Sequence, residues 1–568
     1  MESLQEQIKT VVKELYGIED IPVEFAKVPA GIDGDYSTNI AMRLASRLGV
    51  KPREIAERIL DELKAKVPDC AFTVAGAGFI NVELLAKSLV DSLDGKWSDN
   101  YGYNQSGAGK TAIVEFPSTN MAKPYSVGHL RPGTQGWAAK QILEANGWKV
   151  ITDNHLGDSG TPFGIWAIGF KRSGKKIEET TIYDLGNIYI EMKKLLKEEA
   201  ERGEKTLADE VQDWLLRLEA KDPEAVELAA KFKSISLEHT HKVMARLGIS
   251  TEYELGESFF VEKGKALVDK YLAEGTFVKN PDGSVICPLD DYGIEVPILV
   301  QKSNGAALYA TTDLACMVYR AETWHPDKVV YCVGAEQKFY FEQLFAMGKK
   351  LGLPQENMHL WFGTIDQVGE DGKRAKMSSR KGVVLMEELL DDAEKRVREN
   401  FAESKADDGE INDEDIKKVA VGAIKFSDFV ADRKTGILYD PEKIFALTGF
   451  SGPFCQYADV RMRRVIAKNA DFKRVDFSSY DWQAEKTVLQ ILLKFPEVVA
   501  LASENLDAHK IAAYCFELAQ ELNRYYEKAP ISTAEPAARS ARLSLMEKAD
   551  VVLSRALDLL GLEVPDRM

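Results

Sequence analysis

Along MESLQEQIKTVVKELYG, apolar side chains recur every three or four positions, the spacing that gives a helix one oily face. IAMRLASRLG, entered through a Gly/Asp turn and a cap at Ser37–Asn39, and PREIAERILDELKAK repeat that period and predict two more helices. The pattern then changes to alternation. CAFTVAGAGFINVELL predicts a pair of strands turned around Gly76 and Gly78, and the polar, Gly-rich KWSDNYGYNQSGAGK predicts a linker. A small α+β unit over residues 1–107 is the expectation.

TAIVEF at 111–116 has the continuous apolar character of a buried strand, and a helix through TQGWAAKQILEANG and a second strand at KVITDNHLGD follow it. Strand, helix and strand in that order predict a right-handed βαβ unit of a parallel sheet, whose ligands bind beyond the carboxyl ends of the strands. Residues 171–250 are charged and helical and interrupt the sheet, which is expected to resume with GSVICPL, IPILVQKSNGAALYATTDLACMVYR, DKVVYCVG and MHLWFGTI. A Rossmann-like domain over 108–386 with a helical insertion results. Beyond 387 strand signals largely stop. ESKADDGEINDED predicts a flexible connection within a segment 387–439, and 440–568 predicts a helical bundle. No period repeats along the chain.

A chain of 568 residues corresponds to about three or four such units. The composition is that of a globular protein, and no apolar run approaches the roughly 20 residues of a membrane span. The first residues lack the basic and apolar regions of a signal peptide, so a cytoplasmic protein is expected. Six cysteines lie scattered without a CxxC pair, which predicts reduced thiols and no dedicated metal site. With 73 basic and 90 acidic residues the net charge is −17, which excludes non-specific coating of nucleic acid but permits a local basic face.

Two stretches carry chemistry. In KPYSVGHLRPG, at 123–133, a loop enters a helix whose free N–H groups and dipole suit phosphate. Gly128 permits close approach and His129 can donate a hydrogen bond, although an isolated V-G-H is also an ordinary turn. In GKRAKMSSRKGVVL, at 372–385, cations crowd around Met377, Ser378 and Ser379, as a loop closing over the phosphates of a nucleotide would need. The neighbouring GEDGK equally suits a solvated hairpin.

Together the two resemble the HIGH and KMSKS signatures of class I aminoacyl-tRNA synthetases. The surroundings are similar to the arginyl-tRNA synthetase family: VEFPSTNMAKPYSVGHLRPGTQG, NHLGDSGTPFG, LGESFF and LYATTDLA in the catalytic region, GDYSTNIAMRLA and GAGFINVEL before it, and FSGPFCQYADVRMRRV and LGLEVPDRM after it. The resemblance implies an N-terminal α+β domain contacting the tRNA D-loop, a Rossmann-like catalytic domain and a C-terminal helical anticodon-binding domain. It implies ATP-dependent ligation of arginine to its tRNA through an arginyl-adenylate. ATP would be a substrate accompanied by Mg²⁺, with no tightly bound cofactor, and the enzyme would be a monomer.

By resemblance, catalysis falls to Lys123, His129, Lys376 and Ser378, and ATP binding to Ser126, Gly128, His129, Met377, Arg380 and Lys381. Glu257 and Asp313 would face the guanidinium with Tyr309, which suits a planar, permanently charged group that needs carboxylates in a fork. Glu115, Asn120 and Gln337 would hold the amino and carboxylate end. Placement at the ends of sheet strands is expected for the carboxylates, while a helix N-cap for Asp313 and a surface turn for Glu257 are the plainer alternatives. Phe79 and Asn81 would meet the D-loop, and Tyr457, Arg461, Tyr526 and Met568 the anticodon; Tyr457 and Tyr526 equally suit a bundle core.

Ser126 stands where the family usually has His, Pro132 where Ser is usual, and Ser159 replaces the common Trp. A class I synthetase of other specificity, such as a cysteine enzyme, and a non-catalytic RNA-binding paralogue are the rival readings. The acidic pocket candidates oppose the first, and the retained Lys123, His129 and K-M-S stretch oppose the second.

Overall fold

The computed structural model describes every residue except Met1, Ala30, Gly31, Gly95, Lys96, Asp99, Ala122, 369–372, 378–383, 404–410, Asp476, Ser478, Ser479 and Ser532, and it leaves out the side chain of Lys376, among others. The described chain forms two compact units, one of Met1–Tyr101, Val465–Phe495 and Gln520–Ala549, the other of Gly102–Arg464, Pro496–Ala519 and Asp550–Met568. No helix among the described residues is long and apolar enough to cross a membrane.

In the first unit, helices Glu2–Tyr16, Ile40–Leu48 and Pro52–Lys66 bury one face each, through Ile8, Val11, Leu44 and Ile59, against Ile80 and Val82 of an antiparallel sheet. That sheet runs in the order Ala26–Lys27, Tyr36–Thr38, Phe79–Leu84, Cys70–Ala75. The turn between the last two strands needs its glycine: Gly78 has φ +142° and a Cβ there would lie 2.8 Å from Pro52. The cap expected at Ser37–Asn39 is different in the structure. Ser37 pairs with Asn81 in the sheet, and Asn39 occupies the N-cap position without a side-chain hydrogen bond. Three extended residues are too few for alternation to register in the sequence. The helix Ala86–Asp94 also went unanticipated.

The second unit is built on a parallel sheet ordered Glu356–His359, Lys328–Tyr331, Thr111–Glu115, Lys149–Asp153. Its register brings Glu115 beside both Asp153 and Tyr331, so these three mark one edge. The helix Leu130–Ala145 makes the expected βαβ connection. Two expectations fail here. Val285–Leu289 and Ile294–Gln301 belong to a separate three-stranded antiparallel sheet, with bulges in their pairing, and LYATTDLACMVYR is the helix Tyr309–Trp324. A short apolar run does not say which sheet it joins, and a helix buried on most sides loses its polar stripe.

The insertion contains helices Ile182–Glu201, Thr206–Glu219 and Pro223–Arg246. Ile365–Val368 and Arg374–Lys376 pair antiparallel, while GEDGK apart from Lys373 lies outside the described residues, and Ile437–Leu438 adds a parallel strand well past residue 387. The end of the stretch expected as a flexible connection is instead helical: the Asn412 side chain accepts from the Asp415 N–H at 2.8 Å and caps Asp413–Asp428.

Candidate active site

At the carboxyl ends of Thr111–Glu115 and Lys328–Tyr331 lies a cavity of about 630 Å³. Glu115, Asn120, Gly128, His129, Glu257, Tyr309, Asp313, Gln337 and Met377 line it, so residues up to 262 positions apart in the chain, from Glu115 to Met377, meet there. Lys123 is exposed and Ser126 half-buried, and neither lines the cavity. Lys376 ends the strand Arg374–Lys376, while Ser378, Arg380 and Lys381 lie outside the described residues.

The V-G-H loop is a short 3₁₀ turn, Val127–His129, leading into Leu130–Ala145. The Ser126 backbone N–H donates to His129 Nδ1 at 3.1 Å, so the ring carries its proton on Nε2. Burial, with the Lys123 cation adding to it, lowers the His129 pKa to about 4. The imidazole is therefore a neutral hydrogen-bond donor at working pH. Two insertion side chains hold the chain just ahead of the loop: Ser236 Oγ donates to the Met121 carbonyl at 2.6 Å, and the Tyr125 N–H donates to His239 Nε2 at 3.2 Å.

The two ends of the K-M-S stretch are fixed to this region. The Met377 N–H donates to the Ile365 carbonyl at 2.9 Å, and the Val127 N–H donates to the Val384 carbonyl at 3.0 Å. Met377 is thus fixed at the cavity wall and Val384 at the V-G-H turn. Arg131 anchors the same corner, its Nε donating to Asp428 Oδ1 at 2.6 Å in full burial, with Gly363 and Thr435 carbonyls as further acceptors.

Across the cavity stand the carboxylates. Glu115 Oε2 and Asp153 Oδ2 each lie 2.7 Å from the buried Arg320, and the second oxygen of Glu115 accepts from Ser118 Oγ at 3.3 Å. Glu257 and Asp313 do not sit at strand ends. Glu257 opens the helix Glu257–Ala273, and Asp313 lies inside Tyr309–Trp324, whose N-cap is Leu308. Neither plainer alternative applies, because both carboxylates face the cavity.

Asp313 accepts from the Tyr340 hydroxyl and lies 3.5 Å from His155 Nε2. Glu257 accepts from Ser159 Oγ at 2.6 Å, and burial raises the pKa of its carboxyl. A staple aims Glu257: Asp158 accepts from the Ser258 N–H at 2.9 Å and from Lys233 Nζ at 2.5 Å, while the Glu257 N–H donates to the Leu156 carbonyl at 2.9 Å. Gly256 makes this approach possible, since a Cβ there would lie 2.3 Å from the Asp158 carboxylate. The sequence reading missed Arg131, His155 and Tyr340 as lining residues. His155 follows a strand end by two residues and Tyr340 follows Gln337 by three on one helical turn, and those spacings were the available signal.

The cavity joins a carboxylate-rich wall, suited to a cation, to a wall formed by Gly128 and the neutral His129 imidazole at the entry of the helix Leu130–Ala145, suited to phosphate. Residues 96–440 match the family described as tRNA synthetases class I (R), catalytic domain; 2–84 match the Arginyl tRNA synthetase N terminal domain and 455–568 the DALR anticodon binding domain. The chain belongs to the arginyl-tRNA synthetase family. It is 33% identical to the arginine–tRNA ligase of Latilactobacillus sakei over 99% of this chain and all of that one. To the arginine–tRNA ligase of Exiguobacterium sibiricum it is 34% identical, over 91% of each chain. The fold also matches the Thermus thermophilus arginyl-tRNA synthetase, with a TM-score of 0.79 at 24% identity over the whole of both chains.

The tRNA-facing expectations divide between the units. In the first, Phe79 is 41% exposed, Asn81 is buried with its Nδ2 donating to the Asp33 carbonyl at 3.0 Å, and Tyr526 is half-buried. In the second, Tyr457 is half-buried against the core and Arg461 half-buried. Met568 is packed inside that core because the tail is held: Lys425 Nζ donates to the Gly561 carbonyl and Gln456 Nε2 to the Glu563 carbonyl. The Met568 side chain is thereby turned inward.

Proposed function

We propose that the cavity between the V-G-H turn and the Glu115, Glu257 and Asp313 wall is where arginine is activated and passed to tRNA. The chain is a class I arginine–tRNA ligase that uses ATP, and the two-sided chemistry of this cavity is the observation that supports siting the reaction there. Arginine and cysteine side chains differ most at the acidic wall. A cysteine substrate would offer no cation to Glu257 and Asp313, which disfavours it strongly.

The arginine guanidinium binds between Asp313 and Glu257, with Tyr309 beside them, and its amino end reaches Glu115, Asn120 and Gln337. ATP, entering with Mg²⁺ as its counter-ion, lies over Gly128 and His129. The arginine carboxylate then attacks the α-phosphate and pyrophosphate leaves, after which the terminal ribose hydroxyl of the tRNA takes the arginyl group. No protein nucleophile takes part. The chain's contribution is placement and donors for developing charge, with His129 Nε2–H aimed at phosphate and Lys123, Lys376, Ser378, Arg380 and Lys381 supplying the rest. Ser126 serves here through its backbone, which orients His129, so the loss of an imidazole at this position leaves the remaining one correctly protonated.

Residues 1–107 serve the tRNA D-loop through Phe79 and Asn81, 108–386 the chemistry, 387–439 the connection and 440–568 the anticodon through Tyr457, Arg461 and Tyr526, with Met568, whose side chain is packed in the core, in a supporting role. The protein works as a monomer in the cytoplasm. Aminoacylation with arginine, ATP and total tRNA tests the assignment together with Asp313→Asn: the parent charges tRNA with arginine, and the variant needs far more arginine to do so. An Asp313→Asn enzyme with unaltered KM for arginine would move the amino-acid site elsewhere.

A further inference from the structure

Beside the acidic wall lies a cluster in which Glu115 meets His155 and Cys316, two side chains that neither adenylation nor transfer employs. Cys316 is 3% exposed, and its Sγ lies 3.9 Å from His155 Nδ1. One ligand atom from each of Glu115, His155 and Cys316 lies within 4.8 Å of the others. Carboxylate, imidazole and thiolate together suit zinc and other thiophilic divalent ions, whose tetrahedral bonds of about 2.0 to 2.3 Å bring ligand atoms to roughly 3.3 to 3.7 Å of each other. A contraction of about 1 Å completes that geometry; Glu115 and His155 both line the cavity, and Glu115 would exchange its contact with Arg320 for the ion.

The surroundings fit a dication. Asp313 Oδ1 stands 3.5 Å from the other imidazole nitrogen, as in carboxylate–histidine–metal arrangements. Charge also balances: Glu115 and a Cys316 thiolate neutralise the ion, and Asp153, 2.7 Å from Arg320, neutralises that guanidinium. Three protein ligands leave a fourth position facing the cavity.

We propose that Glu115, His155 and Cys316 form a binding site for a thiophilic divalent cation such as Zn²⁺, and that its occupation excludes the substrate amino group from Glu115. The exclusion rests on Glu115 as the ligand of the amino end, and the metal site does not. On binding, the protons held by the Cys316 sulfur and by the ligating imidazole nitrogen pass to solvent, so the metal–sulfur bond forms without change of oxidation state.

The test uses the full-length, chelator-treated protein with Co²⁺ as the optical probe and Zn²⁺ as the inhibitor. The native protein is expected to give a near-ultraviolet thiolate-to-cobalt band that Cys316→Ala lacks. With Zn²⁺ at about ten times its dissociation constant, the KM for arginine rises about tenfold in the native enzyme and is unchanged in Cys316→Ala. A native cobalt complex without the thiolate band, or equal zinc inhibition of both proteins, overturns the proposal. Failure of the metal-free native protein to charge tRNA with arginine would instead overturn the reading of the cavity, and the cobalt band would still decide the site.

Discussion

Ser159 stands where the family commonly has Trp, and replacing it isolates one contact. Its hydroxyl donates to Glu257 Oε2 at 2.6 Å, while burial already pushes the Glu257 carboxyl toward its neutral form. A hydrogen bond to a charged group contributes about 1.5 to 3 kcal/mol, and Glu257 is only half-buried, so the lower figure applies. Ser159→Ala then weakens arginine binding by roughly tenfold at neutral pH. The sign of its pH dependence follows. A carboxyl whose pKa is raised gains its proton earlier as pH falls, and the protonated form no longer attracts a guanidinium. The KM for arginine therefore climbs as pH is lowered, and climbs from a higher starting pH in Ser159→Ala, where the stabilising donor is gone. Steady-state aminoacylation between about pH 6 and 8 measures this, with ATP and tRNA saturating. Ser159→Thr, which keeps the hydroxyl, should resemble the parent. A Ser159→Ala enzyme with unchanged KM, or with kcat alone reduced, would refute the role of this contact.

Other perturbations follow from the same geometry. His129→Ala should lower the activation rate on the order of 10²-fold, as loss of one transition-state donor does, and Ser126→His should leave the rate similar or higher, because the orienting bond comes from the backbone; single-turnover adenylation separates the two. Arg320→Met leaves Glu115 and Asp153 buried without their cation and should cost about 3 to 5 kcal/mol in denaturant unfolding. Lys425 is fully buried with a pKa lowered from 10.5 to about 7. Between those values the unfolded chain holds a proton that the folded chain lacks, so stability increases with pH across that window, by about 5 kcal/mol in full, and the burial cost persists below about 7. Urea unfolding at pH 7 and pH 9 should show the rise, and a flat profile would contradict it.

Much of this was legible in the chain because its signals are local. The strands at 111–115 and 328–331 are apolar runs bounded by turns, and the V-G-H turn lies where a βαβ loop must. Their common edge followed from topology alone. What sequence could not supply was which partner each segment takes. Val285–Leu289 is as apolar as a strand of the parallel sheet but pairs elsewhere, and Asp313 looks like a cap because two threonines precede it, although the helix begins four residues earlier, at Tyr309. The supports of the site were hidden for the same reason. Asp158, Lys233 and Ser258 meet only in three dimensions, and nothing in their spacing marks them as the staple that directs Glu257.

The claim at the centre of this account is that Asp313 and Glu257 select arginine in the same cavity where His129 meets ATP. The most direct measurement is the KM for arginine and the KM for ATP in aminoacylation by Asp313→Asn, beside the parent. Loss of one of the two carboxylates that face the guanidinium should raise the arginine value by about 30-fold or more and leave the ATP value within about twofold. Equal shifts in both, or no shift in the arginine value, would contradict the account.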